Sequence, residues 1–234
     1  MKLVLLPGLN GSSALFAPLL PHLSVHLEVE SLALPDKGPQ DYPSLAQLLA
    51  PRLQAIGEPF VLLGESFSSA LAYRLAQARP VGLRGVIFVS GFVRRPHPLL
   101  ALWPLLRYLP LPIRLATRPS LLRCFCLGPG AAPAQLEGLG LAIRTIPEPL
   151  LRARLDSLNR LTRPVQPLDL PSLHLRPLQD RLVMPHAAAS LAQHCPHLQQ
   201  LALPGPHFLL QRHPEACAEA IERFIAALPG TADS

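Results

Sequence analysis

Lysine is nearly absent from this chain: of its 21 basic side chains only Lys2 and Lys37 are lysine, and the rest are arginine. Charge of either sign is scarce, at 15% of residues, and there is a single tryptophan, Trp103. No apolar run reaches the roughly 20 residues that a membrane-crossing helix needs. The longest candidate, Leu99 to Leu115, is broken by Arg107 and by prolines. The apolar stretch after Met1 ends at Pro7-Gly8, too soon for a secretory leader, so a cytoplasmic location is expected. The four cysteines, Cys124, Cys126, Cys195 and Cys217, show no Cys-x-x-Cys spacing. Neither a zinc site nor a redox pair is therefore indicated, and reduced, mostly buried thiols are expected. No internal repeat or low-complexity tract is present.

Apolar mass and proline are what the chain has in quantity. At 234 residues and 49% hydrophobic it is long enough for one domain with a large core. Its 29 prolines should keep the helices short and interrupted. The formal charge of +6 is unevenly spread: between Arg94 and Val165 eleven arginines face three acids (Glu137, Glu148, Asp156), a balance of +8 that leaves −2 for the remainder.

Lys2 to Leu6 reads as a strand buried on both faces. The turn cluster Pro7-Gly8-Leu9-Asn10-Gly11-Ser12 follows it, and then helical spacing at Leu15, Phe16, Leu19, Leu20 and Leu23. Val25–Leu34 reads as a second strand. Leu45, Leu48, Leu49, Leu53 and Ile56 space as a helix closed by Gly57. Phe60–Leu63 is a third strand, Ser66–Ala78 a helix, and Val86–Val89 a fourth strand. This alternation predicts a doubly wound, mostly parallel α/β sheet. It stops from about Arg94 to Pro167, where proline-punctuated, leucine-rich segments predict a helical insertion. The core then spans residues 1–93 and 168–234, and the insertion 94–167. The alternation resumes with a strand at Ser172–Leu175, a helix over Pro185–His194, a strand at Leu198–Leu203 and an amphipathic helix from Pro214. Pro229–Ser234 is expected to fray.

One stretch organises the rest: Phe60-Val61-Leu62-Leu63-Gly64-Glu65-Ser66-Phe67-Ser68-Ser69-Ala70. A serine between a buried strand and a helix, with Gly two positions before it, is the pattern of a nucleophile elbow. The sharp turn strains the serine backbone, so the residues two before and two after must be small. Gly64 meets that need, and Ser68 meets it less well. The alternative is a plain helix start with Ser66 as its N-cap. A serine nucleophile also needs a base and an acid that orients the base. In parallel α/β sheets such groups lie just past the carboxyl ends of strands. Asp180 follows the Ser172–Leu175 strand, and His207, in Pro204-Gly205-Pro206-His207-Phe208, follows Leu198–Leu203. Asp169 precedes its strand and lies at the wrong end; His213, just before Pro214, is expected to cap the last helix. The remaining histidines, His174 among them, are expected to be surface or packing residues. The order Ser66…Asp180…His207 is nucleophile, acid, base. A second backbone donor for an oxyanion, beside Phe67 N–H, is expected from the loop after the first strand, at Leu9 N–H.

With these motifs in this order, the chain resembles the α/β-hydrolase superfamily. Leu-Leu-Pro-Gly-Leu near the start, Gly-Glu-Ser-Phe-Ser at the elbow, Leu-Gln-Asp-Arg-Leu-Val-Met-Pro and Gly-Pro-His-Phe carry the likeness over nearly the whole length. Within the superfamily it is similar to small carboxylesterases of the pimeloyl-acyl-carrier-protein methyl ester type. The resemblance implies Ser66 as nucleophile, Asp180 as acid, His207 as base, Leu9 and Phe67 N–H as the oxyanion hole, and the insertion as a cap over an acyl pocket. It departs from the common pattern in lacking the first strands and the glycine of the acid loop. Pro7 stands where many members have His, which should alter loop support more than the donor itself, and Ser68 and Ser69 stand where glycines are usual.

The expected function is a serine hydrolase of carboxylic esters or thioesters, with no metal or organic cofactor. Its expected partner is a small acyl substrate, and the basic insertion reads either as a solvated helical face in an arginine-rich chain or as a field that steers an acidic acyl carrier protein. Nucleic acid is not expected, since no reading motif is present. The alternative is a non-catalytic protein of the same fold that binds an apolar acyl ligand or the carrier. A membrane-surface role for Leu99–Arg118, which mixes Leu, Trp103, Tyr108 and Arg, ranks behind both.

Overall fold

The computed structural model describes residues 1–110 and 113–229; beyond Pro229, the expected frayed tail lies outside the described residues. Six strands, β1 (Lys2–Leu6), β2 (Glu28–Ser31), β3 (Phe60–Glu65), β4 (Leu83–Val89), β5 (Ser172–Pro177) and β6 (Leu198–Leu203), form one sheet. Its order is β2-β1-β3-β4-β5-β6 and every pairing is parallel. The continuous apolar runs of β1 and β3 follow from helices on both faces. Leu3, Leu5, Val61, Leu63, Ile87 and Val89 pack toward Phe16, Leu19 and the Pro214–Ala226 helix. Val4, Leu6, Phe60, Leu62, Val86 and Phe88 pack toward the Tyr42–Gln54 and Phe67–Gln77 helices.

The strand order also fixes where a ligand can bind. From β1 the chain builds outward to β2 on one side and to β3 on the other. The loops leaving β1 and β3 therefore diverge at their shared boundary and open a crevice at the carboxyl edge of the sheet.

Three expected elements differ in the structure. Only Glu28–Ser31 of the Val25–Leu34 segment pairs, because β2 is an edge strand with β1 as its sole neighbour and Val25 is 95% exposed. The Leu15–Leu23 spacing gives two 3-10 turns, Ser13–Phe16 and Leu20–His22, rather than an α-helix. Pro18 and Pro21 remove the backbone donors that a continuous helix would use. The Pro185–His194 helix is split into Pro185–Ala188 and Ser190–His194. There the Ser190 hydroxyl donates to Ala187 O at 2.5 Å and accepts from Val93 N–H at 3.2 Å, competing with the helical ladder.

Between β4 and β5 every described regular element is helical. Short turns such as Trp103–Leu106, Ile113–Ala116 and Pro119–Leu122 precede two longer helices, Pro133–Arg144 and Glu148–Arg160. Trp103 is pinned by its indole N–H, which donates to Asp156 Oδ1 at 2.7 Å. Among the described residues no helix is long and apolar enough to cross a membrane. Cys126, Cys195 and Cys217 are buried thiols, and Cys124 is exposed.

His174, on β5, is a buried packing residue with 0% exposure. Its Nε2 accepts from Gly91 N–H at 3.2 Å, so the ring sits neutral. Burial pushes its pKa down to about 4, with the Arg176 charge helping and Asp180 opposing. In the unfolded chain the imidazole binds a proton near pH 6.5, so the unfolded state takes up more protons between pH 6.5 and 4. Stability should therefore fall as pH falls through that window. His174→Gln keeps an acceptor for Gly91 and removes the titration. Urea denaturation should show the variant gaining about 3 kcal/mol on the wild type between pH 7 and pH 4. A stability difference that is the same at both pH values would contradict this account.

Candidate active site

Ser66 stands between β3 and the Phe67–Gln77 helix with φ 49° and ψ −111°. A side chain rarely occupies this region, and it persists only where the surroundings enforce it. The enforcement is close packing of helix on strand at Gly64. A Cβ on Gly64 would lie 2.8 Å from Ala72 Cβ and nearer still to Ser68 O. Ser66 N–H donates to Val89 O at 2.9 Å, and its carbonyl accepts from Ser69 N–H at 2.9 Å. Ser68 is fully buried, and the elbow accommodates it. Its hydroxyl donates to Pro7 O at 2.5 Å, giving the residue that replaces the usual glycine a partner in the loop after β1.

His207, in the loop after β6, brings Nε2 to 2.9 Å from Ser66 Oγ and Nδ1 to 2.8 Å from Asp180 Oδ2. Asp180 Oδ1 accepts from Leu182 N–H and Val183 N–H, both at 2.9 Å, which fixes the carboxylate plane. The His207 carbonyl accepts from Ser90 Oγ at 2.5 Å, at the end of β4. His207 is 5% exposed. Burial alone would lower its pKa, but the Asp180 charge and hydrogen bond, with the Glu65 charge added, raise it above the ordinary histidine value. For Asp180 burial raises the pKa, and His207 with the two backbone N–H groups brings it below the ordinary carboxylate value. Both shifts favour an imidazolium–carboxylate pair whenever the histidine takes up a proton.

The loop after β1 completes the site. Gly8 brings its backbone to Ser66: a Cβ there would be 3.8 Å from Ser66 Cβ. Glu65, 3% exposed, lies beside Gly8, and its Oε1 accepts from Gln211 Nε2 at 3.0 Å. Burial raises the Glu65 pKa, against opposing pulls from Gln211, His207 and the Gly8 N–H. On the far side of the loop, Arg154 Nη1 donates to Leu9 O at 2.8 Å.

Gly8, Leu9, Ser66, Phe67 and His207 border one cavity of about 500 Å³, within the range of small-molecule sites. Its walls are largely apolar and come from the helical segment, with Leu100, Trp103, Ile146, Leu151 and Leu155 among them. His97 also lines it. Asp180 lies behind His207 rather than on the wall. Asp169 is at the opposite end of β5, paired with His197 at 3.0 Å. His213 occupies the N-cap position of the last helix, but its side chain makes no capping bond. Gly205 explains the turn before His207: its φ is 150°, and a Cβ would sit 2.7 Å from His213 Cδ2.

Glu65, Gln211 and Arg154 belong to the site without a clear mark in the sequence. A lone acid inside the elbow motif was the one available signal for Glu65. Nothing local distinguishes Arg154 from its neighbours in an arginine-rich segment, and its partners are more than a hundred residues away.

Residues 3–220 match the model of the alpha/beta hydrolase family. The chain belongs to the alpha/beta hydrolase family. Among known members, it is 30% identical to the pimeloyl-[acyl-carrier protein] methyl ester esterase of Xanthomonas oryzae pv. oryzae, over 97% of this chain and 96% of that one. In fold it is similar to a hydrolase from Pseudomonas aeruginosa PA01, with a TM-score of 0.83 at 16% identity, covering 97% of this chain and 90% of that one. The enol-lactonase from Burkholderia xenovorans LB400 gives 0.81 at 16% identity, covering 96% and 91%.

In this alpha/beta hydrolase the elbow geometry hangs on Gly64, which yields a direct check. Gly64→Ala forces a methyl group against Ser68 O and Ala72, and overpacking of this kind costs roughly 1–3 kcal/mol. Chemical denaturation should show a loss in that range, while Ala72→Gly in the same chain should restore part of it. Full stability in Gly64→Ala would mean that helix and strand are not in the contact described.

Proposed function

We propose that this hydrolase cleaves carboxylic esters with Ser66 as nucleophile, His207 as general base and acid, Asp180 as the orienting acid, and the Leu9 and Phe67 N–H groups as the oxyanion hole. The observation that carries the reading is the unbroken relay from Ser66 Oγ through His207 to Asp180, at 2.9 and 2.8 Å, on the border of an apolar cavity. In this reading His207 Nε2 takes the Ser66 proton as Oγ attacks the ester carbonyl carbon. The carbonyl oxygen becomes an oxyanion and accepts from the two backbone N–H groups. His207 then protonates the departing alkoxide oxygen, leaving an acyl-enzyme. A water attacks in turn, with His207 as base, and releases the acid. Asp180 keeps the proton on Nδ1 and so leaves Nε2 free to accept.

The helical segment 94–167 serves in this proposal as a cap whose apolar inner surface seats the acyl chain. The pimeloyl-[acyl-carrier protein] methyl ester esterase, similar along nearly its whole length, supports an acyl group delivered by a carrier protein. Not every cap arginine is free at the surface: Arg154 is buried, Arg152 pairs with Glu148, and Arg107 lies 3.6 Å from Asp156. Arg114, Arg118 and Arg123 are exposed in the same part of the insertion as Phe125, which lines the cavity. They are the better candidates for steering a carrier.

Ser66→Ala should abolish fluorophosphonate labelling and lower kcat on the order of 10⁴-fold or more, with the fold intact by circular dichroism. Adding His207→Ala should change little further, since the two act in one proton transfer; additive losses would separate their roles. Because its pKa is raised, His207 becomes protonated as pH falls from above 6.5, so kcat/KM should drop with an apparent pKa above that value. A profile flat down to pH 5 would reject a histidine base. Labelling that persists in Ser66→Ala would reject the nucleophile.

A separate prediction concerns the carrier. Changing Arg114, Arg118 and Arg123 together to Glu should slow capture of a carrier-bound ester roughly tenfold and leave a small neutral ester unaffected. Raising salt on the wild type should reproduce the effect. Equal losses on both substrates would assign these arginines to holding the cap together.

A further inference from the structure

We infer that Arg154 is a positioning residue for the oxyanion site: it fixes the loop that presents the Leu9 N–H, from a helix outside the strand–loop core. The inference rests on the hydrolase reading above and adds a residue to it. Arg154 lies on the Glu148–Arg160 helix, the same helix that lines the cavity with Leu151, Leu155 and Leu158. Its side chain is 1% exposed, among the most buried large side chains of the protein. Nη1 donates to Leu9 O at 2.8 Å, Nη2 to Pro35 O at 3.0 Å and Nε to Gln40 Oε1 at 3.0 Å. The guanidinium therefore bridges the loop after β1 and the loop after β2.

Stability alone is a poor explanation for this arrangement. Burial pulls the Arg154 pKa down to about 10, with only the Asp36 charge acting in the other direction. All three partners above are uncharged, and a buried cation without a paired anion is a net expense that an apolar side chain of similar size would avoid. What the guanidinium supplies instead is direction, three N–H bonds in a rigid planar fork. The loop is shaped around it. Gly11 has φ 73°, and a Cβ there would lie 2.8 Å from Nη2 and closer still to Nη1. The Gly11 N–H in turn donates to Gly8 O at 2.9 Å. Ser68 holds the carbonyl of Pro7 and Arg154 holds that of Leu9. The Gly8–Leu9 peptide, which carries the proposed oxyanion donor, is thus clamped on both sides.

A donor displaced by a fraction of an ångström loses its value in the transition state while substrate binding in the apolar cavity is untouched. Arg154→Gln should therefore lower kcat on the order of tenfold to a hundredfold with KM nearly constant, by the same factor for a butyrate and an octanoate nitrophenyl ester. Arg154→Lys, which can reach one of the carbonyls, should fall between the two. Affinity for a trifluoromethyl ketone, which forms a tetrahedral oxyanion on the serine, should weaken in parallel with kcat/KM. Amide hydrogen exchange over residues 7–13 should quicken in Arg154→Gln. Unchanged kcat in a folded variant, or a loss confined to KM that grows with acyl length, would overturn the proposal by making Arg154 a support of the cavity wall. If Arg154→Gln does not fold, Arg154→Lys carries the same comparisons. A wild type that neither turns over esters nor reacts with a fluorophosphonate would defeat the hydrolase reading instead. The exchange experiment would still stand apart from it, since unchanged exchange over 7–13 refutes the clamp whatever the chemistry.

Discussion

The site depends on the close approach of one helix to one strand, where the Phe67–Gln77 helix meets β3 at Gly64. Only a residue without a side chain lets Ser68 O and Ala72 come so near. That approach bends the chain sharply enough to put Ser66 at positive φ, and a strained serine survives because both neighbours are locked. It also drives Ser68 fully into the interior, where an unbonded hydroxyl would be costly. The Pro7 carbonyl answers that need. One packing contact thus sets the conformation of Ser66 and ties the turn to the loop after β1, the two sides of the crevice at which the strand order changes direction.

This coupling gives physical sense to two departures from the common family pattern. Proline at position 7 has no N–H to give, but its carbonyl is available, and serine rather than glycine at position 68 is the residue that can use it. The two substitutions are compatible as a pair. Glu65 and Arg154 add further anchors to the same loop, one from the elbow and one from the helical segment. Three consecutive residues, Pro7, Gly8 and Leu9, are each held from a different direction.

The parts legible in the sequence were those written in local pattern. Buried strands such as Lys2–Leu6 and Phe60–Leu63 read directly because both faces are covered, and the loop acid and histidine could be nominated by their place after strands. The structure brings Ser66, His207 and Asp180 into one hydrogen-bonded relay. What stayed hidden was tertiary. The Leu15–Leu23 spacing suited a helix, but prolines turned it into 3-10 turns that still bury Phe16 and Leu19. Val25 looked like part of a strand, yet an edge position left it in solvent. Arg154 counted toward surface charge, whereas its long side chain crosses to carbonyls more than a hundred residues away, a contact that composition cannot reveal.

The loops that carry Asp180 and His207 are themselves joined. The β5–β6 pairing runs to Pro177 opposite Leu203, and the ladder continues past it as Leu178 N–H donates to Leu203 O and Gln179 N–H to Gly205 O. Asp180 and His207 therefore ride on one bonded pair of loops, whereas Ser66 follows β3, across the intervening β4. The gap is bridged at the end of β4, where Val89 O accepts from Ser66 N–H and Ser90 Oγ donates to His207 O, so two adjacent residues hold the hydroxyl and the imidazole from one place. Val89 and Ser90 thus act as the spacer between the two halves of the relay.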